Sequence, residues 1–203
     1  MSDGPQTSQV RATLIRRGFL LEYATLAWNV VGIVLLTIAA TGARSVALVG
    51  FGLDSLIEIG ASTIVIWELS GSGEQRQRRA LRLIGAAFGF LAVYLTAQST
   101  VVLVTGHHAS PSPLGIEWTA ITALVMFVLA AGKARTGAAL DNPVLRTEGR
   151  VTLIDGLLAV AVLAGIVLNT ALGWWWADPV AGYVLALYAV REVRAVYFTG
   201  EHA

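Results

Sequence analysis

Six long apolar segments, joined by short polar links, constrain this chain more than any other feature. They are Gly18–Ala40, Ser45–Leu69, Leu83–Thr105, Leu114–Ala131, Val151–Leu172 and Trp174–Val190. A helix that crosses a bilayer needs about 20 predominantly apolar residues. Only 13% of the residues are charged, about half the share that is usual in soluble domains. The sequence therefore predicts an all-α membrane protein with six transmembrane helices.

The basic residues predict how these helices are oriented. Nearly all of them fall on one side of the predicted membrane: Arg11, Arg16, Arg17, Arg76, Arg78, Arg79, Arg82, Lys133, Arg135, Arg146, Arg150, Arg191 and Arg194. Arg44 alone falls on the other side. Since Lys and Arg collect on the cytoplasmic side, we expect both termini in the cytoplasm of a multi-pass protein of the plasma (inner) membrane. The expected organisation is a cytoplasmic segment 1–17, a membrane domain 18–196 and a short tail 197–203.

Several classes of function find no support in the sequence. Cysteine is absent, which removes disulfides, thiolate ligands and cysteine nucleophiles. The net charge of +1 gives no basic field for nucleic acid. No phosphate-binding loop, dinucleotide-binding glycine pattern or metalloprotease helix is found. We therefore expect neither an enzyme nor a resident cofactor.

Acidic residues near the middle of the predicted spans are the informative feature. Asp54 and Glu58 share one face of helix two, Asp155 lies on helix five, and Asn29 of helix one lies at a comparable level. Each charge at a helix centre costs about 2.5–3.5 kcal/mol on insertion scales. Because Lys133 is assigned to the cytoplasmic side, we expect no Lys or Arg at that depth. The neutralising charge must then come from protons, water or a bound cation.

Carboxylates four residues apart on a helix can converge on one metal ion with a donor from a facing helix. Protons would compete for the same oxygens, which is the physical basis of exchange transport. The alternative is a set of protonated carboxyl groups that tie the helices together by hydrogen bonds. Residues 54–57 (DSLI) are weakly similar to residues 155–158 (DGLL). This similarity suggests an inverted three-plus-three repeat, a common transporter architecture.

Three stretches carry a resemblance to a known family. They are residues 47–62 (ALVGFGLDSLIEIGAS), 145–155 (LRTEGRVTLID) and 176–182 (WADPVAG). In these stretches the sequence resembles the cation diffusion facilitator (cation efflux) family of divalent metal transporters. The resemblance implies that Asp54 and Glu58 match the metal-binding pair of helix two. It also implies that Asp155 matches the second member of the helix-five pair, whose first member falls on Val151, a residue that cannot ligate.

The resemblance leaves the substrate and the assembly open. An oxygen-only site suits harder ions than zinc, and Asn29, Thr152, water or Glu148 are candidates for the missing ligand. Glu148 and Glu22 are weaker candidates for metal ligands nearer the cytoplasm, and His107 and His108 lie in an outer loop without an assigned role. Most family members continue into a cytoplasmic domain that helps them dimerise. Without it, we expect a homodimer to rest on the membrane helices, with Gly85 and Gly89 as a weak small-residue motif.

These observations lead to one functional prediction and two alternatives. We expect a transporter that exports a divalent metal, Zn²⁺ or a similar transition metal, from the cytoplasm in exchange for protons. The first alternative is a membrane protein that binds metal and regulates or partners another transporter. The second is a passive channel, which would lack proton coupling.

Overall fold

The computed structural model describes residues 5–43, 46–71, 73–106 and 113–198, and all regular structure in these ranges is α-helical. The six helices found there are α1 (Pro5–Ala43), α2 (Val46–Leu69), α3 (Glu74–Thr105), α4 (Pro113–Leu140), α5 (Pro143–Leu172) and α6 (Ala177–Phe198). The all-α, six-helix prediction is confirmed. Arg44, His107 and His108 lie outside the described residues.

Three of the helices are long and apolar enough to cross a membrane. Within the described ranges these are Gln9–Ala39, Glu74–Thr105 and Pro113–Leu140. Large apolar side chains point outward along them, including Phe90, Val93 and Leu124. Lipid is the solvent that such a surface requires, so the protein is an integral membrane protein.

The helices form a four-helix group with a two-helix layer beside it. The most extensive packing joins α4 to α5, α1 to α2 and α3 to α6. Since α1 also packs on α4, and α2 on α5, these four helices enclose a common interior. The α3–α6 pair packs against α2 and α5. The buried acidic residues of α1, α2 and α5 lie in the interior of the four-helix group.

The turn between α4 and α5 explains why both helices extend beyond their apolar segments. Asp141 adopts a left-handed conformation with φ 51°, which reverses the chain in a very short link. The side-chain oxygen of Asn142 then accepts a hydrogen bond from the Leu145 amide at 3.0 Å and caps α5. As a result α4 continues past Ala131 and α5 starts before Val151, so Lys133 and Glu148 lie inside helices.

Gly149 allows α4 and α5 to approach closely. A Cβ atom at this position would lie 3.2 Å from the Ala134 amide nitrogen, 3.2 Å from the Lys133 Cβ and 3.4 Å from the Ala130 carbonyl oxygen. Two of these neighbours are backbone atoms, which cannot turn aside. The absence of a side chain at residue 149 therefore sets the distance between Glu148 and the α4 backbone.

We expect Gly149→Val to destabilise the protein by about 1–3 kcal/mol, the usual cost of overpacking a well-packed interface. Thermal unfolding in detergent measures the change. Gly60→Val is the matched control, because a Cβ at residue 60 would meet nothing within 4 Å. Equal melting temperatures for the two variants would contradict the close α4–α5 contact.

The small-residue motif of α3 packs within the chain. A Cβ at Gly85 would lie 2.7 Å from Tyr197 Cε2 and 2.9 Å from Val196 Cγ1, and one at Gly89 would lie 3.9 Å from Val193 Cγ2. These three contacts are all on α6. The motif thus allows close packing of α3 on α6 within the chain. The homodimer stays a prediction, and these glycines do not identify its interface.

Candidate metal centre

Asp54 of α2 and Asp155 of α5 form a buried carboxyl pair in the interior of the four-helix group. Each residue is 3% exposed, and the two carboxyl groups lie within hydrogen-bonding reach of each other. Asp54 Oδ2 and both carboxyl oxygens of Asp155 accept no hydrogen bond from any residue that the structure describes. Bare carboxyl oxygens in a buried site call for a proton or a metal ion between them.

Glu58 lies one turn further along α2, where its carboxylate connects this pair to a second group. Thr152 Oγ1 of α5 donates a hydrogen bond to Glu58 Oε1 at 2.5 Å. Glu58 also interacts electrostatically with Asp54 and with Asp155. The other oxygen, Glu58 Oε2, has no hydrogen-bond donor in the described part of the chain. Glu58 Oε1 is therefore held by a hydrogen bond, whereas Glu58 Oε2 accepts none from the described residues.

The second group is centred on Lys133 of α4, which is fully buried. Its Nζ atom lies 2.5 Å from Glu148 Oε1, 3.2 Å from Glu22 Oε2 and 3.9 Å from Glu58 Oε1. The three acids come from α5, α1 and α2, so four helices contribute one residue each. We call Glu22, Glu58, Lys133 and Glu148 the lysine cluster.

Two hydroxyl groups complete the lysine cluster. Lys133 Nζ donates to Thr152 Oγ1 at 2.9 Å, and Ser62 Oγ donates to Glu148 Oε1 at 3.2 Å. Three carboxylates face one ammonium group, so the cluster carries an excess of negative charge whenever the acids are ionised. Removing either partner from a buried pair of this kind exposes the full desolvation cost of the other.

The expectation that no Lys or Arg lies at the depth of the acids is wrong. Lys133 was assigned to the cytoplasmic side because the apolar segment ends at Ala131. In the structure α4 runs on to Leu140, and the interior of the four-helix group extends with it. The signal that could have found it is the helical period, since Lys133 continues the buried stripe of Thr119, Met126 and Ala130.

The predicted site residues thus fall into two neighbouring groups. Asp54 and Asp155 form the pair, whereas Glu58, Glu22 and Glu148 surround Lys133. Among the described residues, no three His, Asp or Glu side chains are gathered closely enough to hold one metal ion. Asn29 is buried and its side-chain nitrogen donates to the Thr25 carbonyl oxygen at 3.0 Å. Val151 packs in the apolar core.

A cavity of about 400 Å³ opens near the ends of α2 and α4. Its lining is divided about equally between polar and apolar surface, and its polar residues include Arg11, Glu68, Glu74, Asp141 and Asn142. Asn142 Nδ2 donates to Glu68 Oε2 at 3.0 Å, which joins the end of α2 to the α4–α5 turn beside this cavity.

Comparison with known proteins identifies one protein family. The family model described as the cation efflux transmembrane domain matches residues 82–197, more than half of the chain. A search of curated proteins found no match. The matched range contains Lys133, Glu148 and Asp155, whereas Asp54 and Glu58 precede it. The assignment of the α2 acids therefore rests on their own geometry and on the motif at residues 47–62.

Proposed function

Because this chain belongs to the cation efflux family of membrane cation transporters, we propose that it exports a divalent metal ion from the cytoplasm in exchange for protons. The proposed substrate is zinc or a similar transition metal. The observation that carries the proposal is the Asp54–Asp155 pair, in which bare carboxyl oxygens from two helices face each other in a buried site. No enzyme chemistry is invoked, since members of this family are transporters.

The same oxygens serve both the metal and the protons in this proposal. Asp54 and Asp155 bind the ion, Glu58 supplies a third carboxylate, and Asn29 assists from α1. Two protons neutralise the pair when the metal has left. Binding a metal ion therefore requires the release of both protons, and binding the protons requires the release of the metal ion. The empty site is therefore neutral when it returns to the cytoplasmic side, which avoids the energetic cost of an uncompensated cluster of negative charge inside the membrane.

The proposed topology supports entry of the metal ion from the cytoplasm. With six spans and both termini in the cytoplasm of the plasma membrane, the cavity lined by Glu68, Glu74 and Asp141 lies on the cytoplasmic side. Its acidic residues would attract a divalent cation electrostatically. From there the ion would pass the lysine cluster before it reaches the Asp54–Asp155 pair.

We expect purified protein in liposomes to take up zinc or a related ion when a pH gradient drives proton movement in the opposite direction. Zinc, cadmium, cobalt, manganese and iron form the test panel, because an oxygen-only site leaves the preferred ion open. Metal flux and internal pH are recorded together with fluorescent reporters. Protein-free liposomes provide the background.

The two alternatives give different outcomes in this assay. Metal flux that leaves the internal pH unchanged would identify a passive channel. Metal binding by the purified protein without any flux would identify a binding protein that partners another transporter. Either result would overturn the exchange mechanism.

A further inference from the structure

Lys133 occupies the place that a cation takes in an acidic site. Its ammonium group is surrounded by carboxylates from three other helices and has no exposed surface. The oxygens Glu58 Oε2 and Glu148 Oε2 nevertheless lack a hydrogen-bond donor among the described residues. One ammonium group thus satisfies only part of what the three acids can bind.

Glu58 is the member of this cluster that can change partners. It lies four residues from Asp54 on α2, so the two side chains leave the helix on one face. Its distance to Lys133 Nζ, 3.9 Å, is the longest of the three ion pairs. Glu22 and Glu148 remain beside Lys133 if Glu58 turns away, so the ammonium group keeps its charge partners.

We propose that Lys133 is a tethered counter-cation that holds Glu58 in the lysine cluster until a metal ion reaches Asp54 and Asp155. Glu58 then leaves the ammonium group and binds the metal, which assembles a three-carboxylate site. When the metal departs, Lys133 draws Glu58 back and favours release. This inference rests on the proposed function, and it makes Lys133 a positioning residue that acts through Glu58.

The charge distribution favours this exchange. Once the Asp54–Asp155 pair has released its protons to make way for the metal, it has two negative charges, and the lysine cluster with its acids ionised has three negative charges against one positive. Moving Glu58 to a metal-bound pair places three carboxylates around a divalent ion and two around the ammonium group. Each group then has one excess negative charge, so the arrival of the metal lowers the charge imbalance in both places.

The inference also accounts for the absence of a three-ligand metal group from the described residues. Glu58 is held by Thr152 and Lys133 in this conformation, away from the other two acids. If Lys133 had a purely structural role, as a tie between α4 and its neighbours, its removal would leave KM unchanged and lower the total flux only in proportion to the folded protein that is lost.

The test compares zinc transport by the wild type with the double variant Lys133→Gln/Glu148→Gln. This variant removes one positive and one negative charge, so the net charge of the cluster is unchanged and the loss of stability is smaller than for replacing Lys133 alone. Glu58 loses its ammonium partner and stays with the metal. We expect KM to fall about tenfold, which corresponds to about 1.4 kcal/mol of tighter binding, and kcat to fall by a similar factor because release is slower.

Two single variants complete the test. Glu148→Gln removes the nearest partner of Lys133, which strengthens its hold on Glu58, so KM is expected to rise. Arg135→Gln removes a positive charge from an exposed position on the same helix, and KM and kcat are expected to stay at wild-type values. Unchanged KM in the double variant, or a raised one, would overturn the inference.

Failure of the proposed function would be recognised separately. If the wild type moves no zinc, the transport proposal fails, and zinc binding to the detergent-solubilised proteins is measured by calorimetry instead. Tighter binding by the double variant than by the wild type still supports the exchange of Glu58 between Lys133 and the metal. Equal affinities overturn it.

Discussion

Replacing Asp155 by asparagine is expected to abolish metal transport without destabilising the protein. Asp155 supplies two of the three bare oxygens in the pair with Asp54, so the substitution removes one of the two negative charges of the pair. The new amide can donate a hydrogen bond to Asp54, a bond of about 1.5–3 kcal/mol when the acceptor is charged. Metal flux should therefore fall to the level of protein-free liposomes while the melting temperature stays equal or rises.

The combination of lost flux and retained stability is what separates a functional pair from a structural one. Asp54→Asn should behave in the same way, since it changes the other half of the pair. Glu117→Gln is the control, because Glu117 is exposed near the start of α4 and outside the site. Wild-type flux in Asp155→Asn would show that the cation is not held by this pair.

Lys133→Met should destabilise the folded protein by about 3–5 kcal/mol, the range seen when one partner of a buried ion pair is removed. Methionine fills a similar volume, so the loss comes from charge: the acids Glu22, Glu58 and Glu148 lose the ammonium group with which each of them pairs. Chemical denaturation in detergent measures the effect. Adding Glu148→Gln to Lys133→Met should recover part of the loss, because one of the uncompensated acids is then removed.

Arg135→Met is the matched control for this prediction. It removes the same charge two residues along α4 at an exposed position, where substitutions usually change stability by less than about 0.5 kcal/mol. Similar stability of Lys133→Met and Arg135→Met would mean that the lysine cluster contributes little, and the buried ion pairs would then need another explanation.

The helices and the buried acids could be predicted because both depend on local properties of the chain. The length of each apolar segment predicts a helix, and a carboxylate inside such a segment stands out whatever surrounds it. Asp54, Glu58 and Asp155 were found in this way, and all three are buried. Their burial does not itself show that they bind metal, which remains a proposal.

The lysine cluster could not be predicted in the same way, because it depends on contacts between distant parts of the chain. Hydropathy treats Lys133 as the end of a span, since it counts the charge of the residue and not the carboxylates of three other helices. The distance between Lys133 and Glu148 depends in turn on Gly149, whose packing against α4 is visible only in the folded protein.

The close contact along α4 and α5 has a consequence for motion. Two helices whose backbones meet at Gly149, joined by a link as short as Asp141–Asn142, cannot slide past one another without breaking that contact. The two helices should move as one rigid body, so that Lys133 and Asp155 keep a constant separation during transport. The distance between spin labels on α4 and α5 should then be the same with and without metal. The distance from a label on α2 to either of these helices should change when metal binds.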